Sequence, residues 1–301
     1  MSIVVVEGEK LKLSNLSKKM WPDENITKAE FINYYVKIAP FLLPYLKDRP
    51  VVFTRYPDGI KGKAFYQKNI PDYAPEWLKT YDEVSFNNGR KKIIRYAVLN
   101  DLKSLLWAAN QASLEIHPWL SRIETIDYPD FAVFDLDPME NTGFEDARQL
   151  ALALKNIFDM EGIKGFPKTS GATGIQIFVP VKPQYTYNEV RNFVEFFCRV
   201  LEKTFPEKST TKRNVKNREG KVYLDYLQNV KGKTLIAPYS PRPLPGAPVS
   251  APVTWEELEK GVLPDAFNIR NMPERLKKVG DLFQGVLKEK QKIDKWIEKI
   301  F

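Results

Sequence analysis

Apolar and polar positions along this chain change their period several times, and each change marks an element. In VVVEGEKLKL (4–13) two apolar stretches flank Glu7-Gly8, which predicts a hairpin turning at that pair. Thr27-Lys28-Ala29-Glu30 has the spacing of a capping box and opens a helix that Pro40 is expected to close. VVFTRYP (51–57) and AFYQKN (64–69) read as strands joined by a turn that includes Asp58-Gly59. KKIIRYAVLN (91–100) is another strand, LKSLLWAANQA a helix, and LEIHPWL (114–120) extended, since the residue before a proline is pushed away from helix.

The middle of the chain is patterned more clearly. FAVFD (131–135) predicts a strand, and FEDARQLALALKNIFDMEG (144–162) an amphipathic helix ending at Gly162. KGFPKTS leads to a glycine turn, and IQIFVPV (175–181) returns as a strand. A second capping box, Thr186 to Glu189, opens a helix to about Phe205. KVYLDYLQN (221–229) and KTLIAPYS (233–240) read as strands. After a proline-rich crossing, a third capping box at Thr254–Glu257 begins a helical C-terminal part. Strands and helices that do not alternate strictly predict an α+β, or mixed α/β, core. Neither a repeat nor a low-complexity linker divides the chain.

Composition narrows the classes. The chain has 301 residues, 43% of them hydrophobic and 13% aromatic, enough to bury a core. Its formal net charge of +8 suits a polyanionic partner. The single cysteine, Cys198, lies in an apolar helical run, so a disulfide framework and a multi-cysteine zinc site are excluded within one chain. The N-terminal stretch lacks the pattern of a signal peptide, and no apolar run approaches the ~20 residues of a membrane span. The chain reads as an intracellular soluble protein.

Candidate chemistry begins where the strand FAVFDLDP ends. Asp135 and Asp137 are two apart, so both carboxylates point to one face while Leu136 points to the opposite layer. Like charges on one face repel unless a cation lies between them, and Mg²⁺ is held by one or two carboxylates plus substrate phosphates. A capping role in the following turn is the alternative. Asp225, among apolar and aromatic neighbours in VYLDYLQN, offers a third carboxylate that could complete a two-metal site. In TSGATGIQ, Gly171 and Gly174 let backbone N–H groups converge on a phosphate, and Ser170 adds a hydroxyl; an ordinary glycine-rich hairpin is the plainer reading. Arg242 stands between prolines in LIAPYSPRP, where a guanidinium could meet a triphosphate. A basic run, 208–221, leads directly into the Asp225 strand. His117 is the only histidine. Lys18 and Lys28 are candidate phosphate ligands, and the pair Phe65-Tyr66 a candidate stacking platform for bases.

Taken in order, DLDP, TSGxxGxx, YLDYLQN and APYSPR closely resemble the polymerase domain of bacterial DNA ligase D, a member of the archaeo-eukaryotic primase superfamily that also occurs in stand-alone form in bacteria and archaea. The resemblance runs from LSNLSKKMWPDENITK to TWEEL. It implies a primase-polymerase fold with a central, mostly antiparallel sheet flanked by helices, as a single catalytic domain over 1–301 and of the stand-alone kind. About 1–125 would contact DNA ends and template, about 126–250 would hold the metal and nucleotide site, and 251–301 would be a helical C-terminal part. It further implies a template-dependent nucleotidyltransferase that fills gaps in non-homologous end joining, prefers ribonucleotides and uses two Mn²⁺ or Mg²⁺ ions.

By the same resemblance, Asp135, Asp137 and Asp225 are the catalytic metal ligands. His117, Ser170 and Arg242, with Gly171, Gly174, Gln176 and Gln228, are nucleotide-binding. Lys18 and Lys28 match lysines that hold a 5′-phosphate across the gap, with Asn15 and Arg55 as further DNA contacts. Phe65-Tyr66 match an aromatic pair that stacks on template bases, and Arg218 a loop arginine. The implied partners are gapped or broken DNA with a 5′-phosphate, ribo- or deoxynucleoside triphosphates, and Ku with a separate DNA ligase; the implied location is cytoplasmic, on the nucleoid. Two positions depart from the pattern. Gln176 stands where a histidine is common, and Thr173 where a basic residue is frequent. A neutral amide in place of a charged donor is expected to weaken triphosphate binding. A non-catalytic end-bridging module, a two-metal phosphodiesterase and a de novo primase are the competing readings.

Overall fold

The computed structural model describes residues 2–87, 90–139, 142–218 and 220–300. The chain folds into two compact units, each assembled from separate segments. The first comprises residues 1–124, 234–249 and 268–278; the second comprises 125–233, 250–267 and 279–301. The fold class is mixed α/β, as the patterning predicts, with the largely antiparallel sheets that the resemblance implies.

In the first unit, β1 (Ser2–Val6) and β2 (Glu9–Leu13) form the expected hairpin, and β3 (Lys19–Trp21) pairs with β4 (Ile26–Thr27). Helix α1 (Lys28–Leu46) starts at the Thr27 capping box, with Glu30 reciprocating. It does not stop at Pro40: Pro40 and Pro44 both lie inside it. The apolar face continues through Leu42, Tyr45 and Leu46, all buried, and burial of those side chains outweighs the lost backbone bond. The central strand β5 (Pro50–Arg55) pairs antiparallel with β6 (Phe65–Gln67), β8 (Arg90–Val98) and β9 (Ser113–Pro118). β7 (Thr80–Asn87) pairs with β8, and α2 (Leu102–Asn110) precedes β9.

The second unit is built on a five-stranded sheet in the order β11-β12-β10-β14-β13, where β10 is Phe131–Asp137, β11 Phe166–Thr169, β12 Ile175–Pro180, β13 Ser209–Thr210 and β14 Val222–Leu224. All pairings are antiparallel except β13 with β14. Alternation sorts its faces. Ala132, Phe134 and Leu136 of β10, with Ile175, Ile177 and Val179 of β12, pack with α3 (Phe144–Glu161) and α4 (Tyr187–Thr204) in one core. The opposite face carries Asp135, Gln176 and Lys168. Gly162 closes α3 in the left-handed conformation, at φ 69°. Cys198 is buried in α4 and burial pushes its thiol up, so it behaves as an apolar filler.

Two expected strands are corrected. KVYLDYLQN is a strand only as far as Leu224: Asp225 accepts from the Leu227 N–H at 3.0 Å and caps a 3₁₀ turn over Tyr226–Gln228, the kind of local bond an aspartate makes. KTLIAPYS is not a strand. It touches β9 where the Ala237 N–H donates to the Ile116 carbonyl at 2.9 Å, and a lone bridge joins Thr234 to Trp119, one residue beyond that strand. Pro238 has no N–H to give, and Tyr239 takes φ 67°, so a ladder cannot run through. The C-terminal part is helical in pieces: α5 (Trp255–Glu259), capped by Thr254, then α6 (Met272–Val279), α7 (Gly285–Lys288) and α8 (Asp294–Ile300). Among the described residues, no helix is long and apolar enough to cross a membrane.

Candidate active site

The register of the second unit's sheet assembles an acidic cluster. Asp135 of β10 pairs with Gln176 of β12, and Asp137 pairs with Tyr223 of β14. One residue beyond the end of β14, the Asp225 N–H donates to the Asp135 carbonyl at 2.9 Å. One carboxylate oxygen from each of Asp135, Asp137 and Asp225 lies within 4.8 Å of the others. Burial pushes the Asp135 carboxyl well above the usual carboxylate range, and the charges of Asp137 and Asp225 push the same way. The Gln176 Nε2 donates to Asp135 Oδ1 at 3.0 Å and, with the positive charge of Lys168, opposes that rise. Asp225 Oδ1 accepts from the Tyr223 hydroxyl at 3.1 Å. The Arg218 guanidinium lies 3.6 Å from the Tyr223 ring centre, so the basic loop does come to the Asp225 end of the sheet. Arg218 is also tied to its own loop through the Lys212 and Arg213 carbonyls. Gln228 ends the 3₁₀ turn that Asp225 starts.

The glycine turn leads to the same place. Ser170 Oγ accepts from the Gly174 N–H at 3.0 Å and from the Ala172 N–H at 3.2 Å, leaving its hydroxyl proton to donate elsewhere. Those two amides therefore serve Ser170 instead of converging on an empty space. Gly171 takes φ 72°. At Gly174 a Cβ would stand 2.7 Å from the Leu136 carbonyl and 3.1 Å from Asp137 Oδ1, so only glycine lets the turn approach the carboxylate strand.

The first unit holds two further groups of predicted residues. In one, Glu115 Oε1 pairs with Arg242 at 3.2 Å, and Glu115 Oε2 lies 3.5 Å from His117 Nε2, which is 3.2 Å from Thr54 Oγ1. Burial alone would raise the Glu115 carboxyl, but the bond from His117 and the charge of Arg242 hold it below its ordinary value. In the other, the Lys28 Nζ donates to the Ser14 carbonyl at 2.8 Å and to Asn110 Oδ1 at 3.0 Å. The Asn15 carbonyl receives the Lys18 N–H at 3.0 Å, and Lys18 pairs with Asp58 at 2.9 Å. Arg55 is anchored to the Gln111 carbonyl and to Gln67. Phe65 and Tyr66 lie on β6 and are 47% and 59% exposed, which a core pair would not be and a stacking platform requires.

Comparison with known proteins identifies the family. Residues 27–283 match the family described as LigD, primase-polymerase domain. The chain belongs to the LigD primase-polymerase domain family. That family is one of nucleotidyltransferases. The bifunctional non-homologous end joining protein LigD of Bacillus subtilis is 40% identical over 272 residues, and the multifunctional LigD of Mycolicibacterium smegmatis 32% over 278. These alignments cover 90% and 91% of this chain but only 43% and 36% of the two relatives. The solved polymerase domain of Mycobacterium tuberculosis ligase D in complex with DNA superposes with a TM-score of 0.84 at 28% identity, covering 92% of this chain and 97% of that one.

In this LigD primase-polymerase domain, three further residues at these clusters lie outside the motifs that mark the family in the sequence. Lys168, 0% exposed, precedes the TSG turn and was indistinguishable from a surface lysine on its strand. Glu115 is two residues before His117 on β9, and that period-two spacing places both on one face. Tyr223 is two before Asp225, between the apolar Val222 and Leu224. Lys168 becomes legible only through partners farther along the chain, whereas Glu115 and Tyr223 stand at period-two spacing from His117 and Asp225.

Proposed function

We propose that this chain adds nucleotides to a primer end at gaps and breaks in DNA, as the polymerase component of non-homologous end joining. The observation that carries the reading is the gathering of Asp135, Asp137 and Asp225 within 4.8 Å. Three carboxylates so close repel one another, and an all-oxygen donor set suits hard divalent cations such as Mg²⁺ and Mn²⁺. Asp135, Asp137 and Asp225 would hold two such ions. Bound there, they would lower the pKa of the primer 3′-hydroxyl and neutralise charge on the triphosphate and the departing pyrophosphate.

The chain's own groups supply binding and orientation. Ser170, with its oxygen already engaged by Gly174 and Ala172, has a hydroxyl proton to give to a phosphate oxygen. Gly171 and Gly174 shape that turn, Gln228 completes the nucleotide contacts in this unit, and Gln176 bonds Asp135. In the other unit His117 and Arg242 are assigned to the triphosphate, with Glu115 fixing their orientation. Lys18 and Lys28 are assigned to the 5′-phosphate side of a gap, Phe65 and Tyr66 to the template, and Asn15, Arg55 and Arg218 to further DNA contacts. Ribonucleotides are the proposed preferred substrates, and Ku and a DNA ligase activity the proposed partners.

The test is extension of a primer across a gapped, 5′-phosphorylated duplex, with ribo- and deoxynucleotides compared under Mn²⁺ and Mg²⁺. Metal-dependent extension by the wild type and none by Asp135→Asn, with DNA binding retained in both, is the expected result. Shortening of the labelled primer would indicate a phosphodiesterase instead. Undiminished extension by Asp135→Asn would remove the metal role.

A further inference from the structure

Across the second unit's sheet, the register lines up Lys168 on β11, Gln176 on β12 and Asp135 on β10. The three side chains form a chain of hydrogen bonds. The Lys168 Nζ donates to Gln176 Oε1 at 2.6 Å, and Gln176 Nε2 donates to Asp135 Oδ1 at 3.0 Å. Lys168 also donates to Ser250 Oγ at 2.6 Å, and Ser250 in turn donates to the Thr169 carbonyl at 2.9 Å. Lys168 and Ser250 are fully buried, and Gln176 is 5% exposed. An ammonium can only donate and a carboxylate can only accept. An amide set between them has a single compatible orientation, oxygen toward the lysine and nitrogen toward the aspartate. The reverse orientation would leave a buried donor facing a donor and an acceptor facing an acceptor, which is costly in a dry interior.

We propose that Lys168 is a positioning residue for the acidic cluster: it locks the Gln176 amide so that the amide nitrogen occupies Asp135 Oδ1 and Asp135 presents its other oxygen toward a divalent cation. Among the described residues no hydrogen bond reaches that other oxygen. The inference rests on the metal-binding role proposed above for the three aspartates. It also accounts for a glutamine at position 176: the position requires one acceptor and one donor on a short rigid group, and an amide provides both without a charge of its own.

The test measures Mn²⁺ binding to the purified chain without DNA or nucleotide, by the electron paramagnetic resonance signal of free Mn²⁺, together with thermal melts. Lys168→Met and Gln176→Leu are each expected to weaken Mn²⁺ binding by about 10-fold or more, the usual effect of removing a residue that orients a ligand. The double variant is expected to bind as weakly as the worse single variant, because both act through one amide. Gln176→His is expected to bind within about threefold of wild type, since a neutral imidazole also offers one acceptor and one donor nitrogen. Should Lys168→Met fail to fold, the contrast between Gln176→His and Gln176→Leu decides. Equal losses in those two overturn the proposal. So does a Lys168→Met variant that melts lower but binds Mn²⁺ as the wild type does, or one whose effect persists in full when Gln176 is already leucine. Failure of the wild type to bind Mn²⁺ would overturn the metal role itself, an outcome distinct from the others.

Discussion

Lys28 is pushed down to about 8, first by its own burial and then by the neighbouring cations Lys18 and Arg55. Its ordinary value is 10.5, so between 8 and 10.5 the unfolded chain holds a proton that the folded one has released. Charging Lys28 therefore opposes folding below 8, and that opposition fades as the pH rises toward 10.5. For binding the sign is opposite: the ammonium that would meet a 5′-phosphate is present below about 8 and lost above it. Discrimination between 5′-phosphorylated and 5′-hydroxyl gapped duplexes is expected to be larger at pH 7 than at pH 9, measured by fluorescence anisotropy. A ratio that stays constant across that interval would remove Lys28 as the phosphate anchor. At this scale the candidate types were legible in the sequence, because aspartates two apart and a serine before a glycine turn are local patterns. Lys168 and Glu115 were not, because a buried charge is identified by its partner.

Strand β10 joins the core of the second unit to its chemistry. Leu136 is 1% exposed, pairs with Leu224 and belongs to the buried cluster that includes Ala147 and Val190, while the residues on either side of it carry the carboxylates. Packing of this one leucine therefore sets the plane from which Asp135 and Asp137 project. Leu136→Ala is expected to cost about 2–5 kcal/mol of stability through lost burial and the cavity left behind, read as a lower denaturant midpoint. Its Mn²⁺ affinity should fall as well, because a collapsing cavity moves both neighbours. A loss below about 1 kcal/mol would mean that the strand is held by other contacts. The elements that periodicity predicted well were those with strong caps, such as α4 behind Thr186 and Glu189. Periodicity failed where a side chain overrode the backbone pattern, at Asp225, and where a positive φ interrupted an apolar run, at Tyr239.

Over the whole molecule, 46 lysines and arginines against 38 aspartates and glutamates leave a formal charge of +8. Binding to DNA should therefore weaken steadily with salt, since each phosphate contact releases condensed counterions. Plotted as log K against log salt, Lys28→Ala is expected to flatten the slope by about one unit relative to wild type at pH 7. A slope unchanged by the substitution would place Lys28 outside the interface. The excess of charge was visible in composition, but its arrangement was not. Many lysines are paired with local carboxylates, as Lys18 is with Asp58 and Lys155 with Asp159, and net charge alone does not distinguish paired from available cations.

The class of the fold, most helix starts, the strand that ends in Asp135 and Asp137, and the order of motifs that marks the family are all legible in the linear chain. These follow from short-range rules: side-chain period, capping and turn chemistry act within a few residues. Tertiary structure decided that Asp225 joins the other two aspartates, that Gly174 must be glycine because β10 passes beside it, and that Lys168 reaches Asp135 through Gln176. Each depends on the pairing of strands separated by a helix or a loop, and strand register is set by packing of the whole sheet.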